Sequence, residues 1–198
     1  RKHSIYRPEH FEFEYRTLAQ KVSEIGAKRV FVPTIPYPTI PPILRGVNSE
    51  FSSDHLGYFD YYTRFWIWDE DFDPEKHPHL TKDEAIQIDF TVDEYNSIIR
   101  KIAKEFGWHV VPMAKHVASM AQRRLGGELL RGYPDDFIAA LKRNELTEHL
   151  VNDQNEATLT TDFIRAKKET RKIYKGGIFS LDGLHPTTIG YALMANNY

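Results

Sequence analysis

The stretch KRVFVPTI, residues Lys28–Ile35, decides the fold. Its β-branched and aromatic residues predict a β-strand. A helix precedes it, because apolar side chains recur there at steps of three and four residues. These residues are Phe11, Tyr15, Leu18, Val22 and Ile25. Gly26 follows them where a helix C-cap is expected, so the chain opens as a helix followed by a strand.

A second helix and strand lie further along the chain. Five prolines between positions 33 and 42 predict an extended exit from the first strand. Thr81 with Glu84 and Thr91 with Glu94 have the spacing of capping boxes. The stretch to Gly107 is therefore two helices, or one long helix with a break near Thr91. WHVVP, Trp108–Pro112, then predicts a short buried strand.

The remaining chain continues the alternation. Helical patterns are predicted over Ala114–Leu130 and Pro134–Arg143, and residues 144–175 are polar and helical in part. A strand-like GGIFS follows, and a last helix after Pro186 is expected to run on through Tyr198, where no stop signal appears. Alternating helices and strands predict an α/β fold with a parallel sheet. We expect one domain over residues 1–198.

Composition excludes several classes of function. The 198 residues include 26 basic and 28 acidic ones, a formal charge of -2, which argues against a nucleic-acid partner or an anionic membrane surface. No run approaches the roughly 18 apolar residues of a membrane span, so we expect a soluble protein without a transmembrane segment. The absence of cysteine excludes disulfides and thiolate metal sites, and leaves the compartment unassigned.

The stretch SLDGLHPTTIGYALMAN, Ser180–Asn196, carries the candidate chemistry. Asp182 lies three residues before His185, a spacing at which a turn lets the carboxylate reach Nδ1–H and fix the tautomer. Nε2 then stays available to take a proton from a hydroxyl, as in a serine triad. Gly183 and Gly190 allow close approach, and Pro186 suits the first turn of a helix. The alternative is an aspartate that caps a helix beside a surface histidine.

That stretch resembles the C-terminal block of the SGNH/GDSL hydrolases, GDSL-like lipases and acylhydrolases in which D-x-x-H-P precedes the last helix. VPTIPYPTIPPILRGV and YYTRFWIWDEDFDPEKHPHLTKDEAIQIDFTVDEYNSII are similar to the middle of larger members. The resemblance implies a three-layer α/β sandwich around a parallel sheet and ester hydrolysis through an acyl-serine. It implies Asp182 as the triad acid, His185 as the base, and neither metal nor cofactor.

The nucleophile of that family is not recognisable in this chain. None of its eight serines follows a strand in a Gly-Asp-Ser context. Gly46-Val47-Asn48 matches the Gly-x-Asn motif that supplies donors to the oxyanion hole in that family. Because it follows the proline-rich segment rather than a strand, a plain turn is the stronger interpretation. We therefore expect the serine upstream of residue 1. The chain would be the C-terminal part of the domain, an incomplete sandwich without its N-terminal strands.

That hypothesis has consequences for activity and partners. The isolated chain is expected to be inactive, because the Asp–His pair has no nucleophile to activate. Its expected partners are a small ester or acylated substrate and the missing N-terminal segment, since exposed sheet edges need cover. One alternative is a noncatalytic module of hydrolase ancestry that binds a ligand or a protein. Another is an esterase with a relocated serine within reach of His185.

Each of the other candidate sites also has a simpler structural interpretation. DEDFDP, Asp69–Pro74, begins like a calcium loop, but Pro74 replaces the turn glycine. The pair His77 and His79 could bind a metal, although a solvated loop is the stronger interpretation. RAKKETRK, Arg165–Lys172, could bind phosphate groups, although a solvent-exposed helix face is the preferred interpretation. The aromatic YYTRFWIW stretch could line an acyl pocket, although packing against the core is the preferred interpretation.

Overall fold

The structure is a computed structural model that describes residues 5–47, 57–121, 133–162, 165–170 and 172–196. This part of the chain is a mixed α/β fold with one small parallel sheet and antiparallel strands elsewhere. Its helices are α1 (Pro8–Glu24), α2 (Lys82–Phe106), α3 (Met113–Met120), α4 (Asp135–Lys142) and α5 (Thr188–Ala195). Its strands are β1 (Phe31–Pro33), β2 (Leu44–Val47), β3 (Tyr61–Arg64), β4 (His79–Thr81), β5 (His109–Val111), β6 (Arg165–Ala166) and β7 (Ile173–Lys175).

The parallel sheet pairs the strands predicted around Val32 and Val110. Of β5 only Val111 is buried, which corrects the expectation of a fully buried strand there. β1 lies parallel to β5, with Val32 opposite Val110. Beyond the ladder, Thr34 N–H donates to the Val111 carbonyl at 3.0 Å. The chain between the strands contains α2, and a parallel connection requires such a crossover. Within the described residues the sheet has only these two strands, so each has one edge without a strand partner.

α2 is a single helix and not two. The capping box at its start forms, because Glu84 N–H donates to the Thr81 hydroxyl and the Glu84 carboxylate accepts from Thr81 N–H. The predicted break near Thr91 is wrong, since Thr91 lies within the helix and donates its hydroxyl to the Gln87 carbonyl at 2.9 Å. Gly107 ends α2 with φ +70°.

The aromatic stretch after residue 60 is only partly buried. Tyr62 on β3 is 1% exposed and lies in the antiparallel sheet β2–β3–β4. The indoles of Trp66 and Trp68 are exposed, which corrects the expectation that the whole stretch packs against the core. Arginine guanidinium groups lie over both rings instead, Arg64 at 5.3 Å from Trp66 and Arg165 at 5.0 Å from Trp68.

Three further predictions need correction. The basic RAKKETRK stretch is the start of an antiparallel hairpin, β6–β7, rather than a helix face. GGIFS forms isolated bridges and no strand. The helix after Pro186 ends at Ala195, with Asn196 as its C-cap, and residues 197–198 lie outside the described residues. α3 confirms the start of the helix expected over Ala114–Leu130, whose second half falls outside the described residues.

The segment that follows β1, residues 34–40, packs along α2, and we call it the strap. Every second strap residue bonds a polar side chain on α2. The pairs are Ile35 N–H and C=O with Asn96, Tyr37 hydroxyl with Asp93, and Thr39 hydroxyl with Asp89. The strap therefore runs antiparallel to α2. Tyr37 and Ile40 also enter the hydrophobic core, with residues of α2, β5, α3, α4 and α5.

Candidate functional site

The Asp182–His185 segment is a tight turn held at both ends. Phe179 and Pro186 form an antiparallel bridge, and Ser180 N–H donates to the His185 carbonyl at 2.8 Å. Inside the turn, Gly183 has φ +70°, a conformation that other residues adopt at a cost. The turn therefore brings the side chains at positions 182 and 185 to the same side.

The predicted Asp–His contact is present. His185 Nδ1 lies 2.6 Å from Asp182 Oδ2, a short contact of the kind made by charge-assisted hydrogen bonds. The second carboxylate oxygen, Oδ1, accepts three hydrogen bonds, from Ser180 Oγ at 2.7 Å and from Leu184 N–H and His185 N–H at 2.9 Å each. Both side chains reach solvent, with 66% of His185 and 50% of Asp182 exposed.

These donors act on the ionisation of the carboxyl group. The hydrogen bond from His185 holds the pKa of Asp182 well below its ordinary range, and the Leu184 N–H and the Ser180 hydroxyl lower it further. Asp182 is therefore a carboxylate at neutral pH. An ionised carboxylate accepts from Nδ1–H and leaves Nε2 as the basic nitrogen of a neutral imidazole.

Nε2 of His185 accepts no hydrogen bond from any side chain in the described part of the chain. The four described serines donate their hydroxyls elsewhere. Their acceptors are the Gln20 carbonyl for Ser23, the Asp93 carbonyl for Ser97, the His116 carbonyl for Ser119 and Asp182 Oδ1 for Ser180. The other four, Ser4, Ser49, Ser52 and Ser53, lie outside the described residues. A triad hydroxyl on Nε2 is thus absent from the described serines.

Two neighbouring elements fix the position of the turn. Ile43 N–H donates to the Gly183 carbonyl at 2.9 Å, which ties the turn to the segment after the strap. On the other side, Gly190 of α5 lies against the backbone of Ile178, so closely that a Cβ on Gly190 would be 2.3 Å from the Ile178 carbonyl oxygen. The turn is therefore positioned from two sides.

The alternative in which Asp182 caps the last helix is not what the structure has. Thr187 is the N-cap of α5, and its hydroxyl accepts from Gly190 N–H at 3.1 Å. Asp182 organises the turn instead. Pro186 lies before the helix rather than in its first turn, which corrects that expectation.

The other candidate residues do not converge on this site. Gly46 and Val47 belong to strand β2, which corrects the interpretation of a plain turn, and Asn48 lies outside the described residues. In the loop before β4, His77 Nδ1 accepts from Asp73 N–H, and His79 Nδ1 lies 2.9 Å from the His77 carbonyl. Among the described residues, no three histidine or acidic side chains are grouped so as to hold a metal ion.

Sequence reasoning missed two residues of the site, Ser180 and Ile43. A serine two residues before Asp182 was a visible signal, because short polar side chains bond within turns. No sequence spacing indicates the contact between Ile43 and Gly183, since 140 residues separate the two positions in the chain. The two positions come together only in the folded chain.

Within the described ranges, no helix is both long and apolar enough to span a bilayer. Comparisons with protein-family models, with curated proteins and with solved structures gave no match.

Proposed function

We propose that Asp182 and His185 are the acid and base of a carboxylic-ester hydrolase of the SGNH/GDSL serine-hydrolase type. The observation that carries the proposal is the 2.6 Å contact between Asp182 Oδ2 and His185 Nδ1, with Nε2 directed to no side chain of the described chain. This is the arrangement in which an imidazole accepts a proton from a hydroxyl and returns it to the leaving group.

In this mechanism each side chain has one task. His185 Nε2 removes the proton of a serine hydroxyl as the oxygen attacks the ester carbonyl, and the imidazolium then protonates the departing alcohol. Asp182 holds the Nδ1–H tautomer and stabilises the imidazolium. Water repeats the sequence on the acyl-serine and releases the carboxylic acid. The serine is proposed to lie on a segment outside these 198 residues.

The finer architecture is part of the same proposal. We infer a three-layer sandwich in which β1 and β5 belong to a larger parallel sheet whose other strands lie outside this chain. The unpaired edges of both strands, within the described residues, support that inference. Open edges of this kind would bind the strands that complete the sheet.

A noncatalytic ligand- or protein-binding module is the second candidate. The exposure of both side chains, 66% for His185 and 50% for Asp182, favours it, because a working base is normally shielded from water. The two candidates differ in whether a serine becomes reactive when this turn is present.

The test uses the protein from its native source and a fluorophosphonate probe, which labels activated serines. Intact mass is measured before and after labelling. The proposal expects an adduct on a protein larger than this chain, and His185→Ala should lower ester hydrolysis by at least ~10³-fold. His77→Ala, in the loop before β4, is the matched control and should keep full activity.

Each other result has a defined meaning. A protein of 198 residues without adduct would favour the noncatalytic module. An adduct on the 198-residue chain itself would place the nucleophile among its own eight serines. Unchanged hydrolysis in His185→Ala would remove the base assignment.

A further inference from the structure

The two oxygens of the Asp182 carboxylate have different surroundings. Oδ2 has one partner, the imidazole of His185. Oδ1 accepts from two backbone N–H groups of the same turn and from the hydroxyl of Ser180 at 2.7 Å. Of the three donors to Oδ1, only the hydroxyl belongs to a side chain, and it is therefore the donor that a substitution can remove.

From this geometry we propose that Ser180 is a positioning residue for the Asp–His pair. Its hydroxyl restricts rotation of the Asp182 carboxylate and thereby keeps Oδ2 in line with His185 Nδ1. The catalytic meaning of this role rests on the function proposed above, but the role itself is measured by spectroscopy, without an assay of activity.

The same contact removes Ser180 as a nucleophile in this arrangement. Its hydroxyl proton is directed to Asp182 Oδ1, and the hydroxyl makes no bond to His185 Nε2. A triad serine requires the opposite, a hydroxyl that donates to the imidazole. Ser180 therefore acts on the carboxylate and not on the ester.

The tautomer of the neutral imidazole reports the positioning directly. A carboxylate aligned with Nδ1 favours the Nδ1–H form, and loss of that alignment increases the Nε2–H form. ¹⁵N chemical shifts of the His185 ring distinguish the two. A second readout is the pKa of Asp182, followed by ¹³C NMR of its carboxyl group, because removal of a donor to the charged form raises that pKa.

The experiment compares four proteins, the native-length protein and its Ser180→Ala, Ser180→Thr and Ser119→Ala variants. Ser119 is the matched control, since its hydroxyl donates to the His116 carbonyl away from the turn. Ser180→Ala should increase the Nε2–H fraction of His185 and raise the pKa of Asp182, because one donor to the charged form is lost. Ser180→Thr should restore both values, and Ser119→Ala should change neither.

Two results would overturn the inference. One is an unchanged tautomer in Ser180→Ala, and the other is a threonine variant that behaves like alanine. If Ser180→Ala does not fold, Ser180→Cys keeps the side-chain shape with a larger atom and a weaker donor, and no change in that variant would count equally against the inference. Neither result bears on fluorophosphonate labelling, so the two proposals fail separately.

Discussion

Replacement of Gly190 by alanine should destabilise the fold next to the Asp–His turn. The added Cβ would lie 2.3 Å from the Ile178 carbonyl oxygen and 3.0 Å from Pro186 Cβ, whereas ordinary contacts begin near 3.4 Å. Because the closest atom belongs to the backbone, it cannot rotate away. α5 would have to move by roughly 1 Å, in an interior that is closely packed.

The expected magnitude follows from two opposed effects. Overpacking against a rigid neighbour costs about 3 kcal/mol, the upper end of its usual range. Alanine is a better helix former than glycine, which returns about 1 kcal/mol. The net loss in the free energy of unfolding is therefore about 2 kcal/mol, or ~4–8 °C in Tm for a chain of this length.

Urea denaturation followed by circular dichroism measures this loss. The matched control is Ala192→Gly, on an exposed position of the same helix, which should cost only the propensity difference of about 1 kcal/mol. If Gly190→Ala is as stable as the parent chain, the close contact with Ile178 is not rigid and the reasoning fails.

Three further predictions concern buried or bonded polar groups. Asn96→Ala should cost about 2 kcal/mol in urea denaturation, because it leaves the half-buried N–H and C=O of Ile35 without the buried Asn96 amide; a loss below ~0.5 kcal/mol would contradict it. Burial lowers the pKa of His116, so the unfolded chain takes up a proton first and stability should fall as pH drops below about 6.5. The fall should be smaller in His116→Gln, and equal slopes would refute the assignment. The lowered pKa of Asp182 means that its stabilisation is complete above pH ~4 and lost as pH falls further, so Asp182→Asn should flatten that acid limb, and an unaltered limb would count against it.

The elements that could be predicted are those whose signals are local. Gly26 after a helical pattern, the capping box at Thr81 and the strand around Val110 each depend on a few neighbouring residues, and the structure confirms all three. The contact between Asp182 and His185 is also local. Its geometry therefore followed from a spacing of three residues, whereas its catalytic role stays a prediction.

The features that sequence reasoning missed depend on tertiary context. Thr91 and Glu94 have the spacing of a capping box. Because Thr91 lies inside α2, its hydroxyl instead donates to the Gln87 carbonyl in the preceding turn. Trp66 and Trp68 look like core residues but are exposed, and the guanidinium of Arg165, from a distant segment, lies over the Trp68 ring. Neither outcome can be read from the immediate neighbours of the residue.

The strap along α2 has a consequence for which changes the chain can tolerate. Pro36 and Pro38 occupy the alternate positions, between the residues that bond α2, where no N–H is required. Their rings also favour an extended backbone in the residues before them, so the segment loses little freedom when it folds. Deletion of one residue would bring the prolines to face α2 and leave Asn96 without its partner. We therefore expect substitutions at the proline positions to be accepted more readily than any change in the length of this segment.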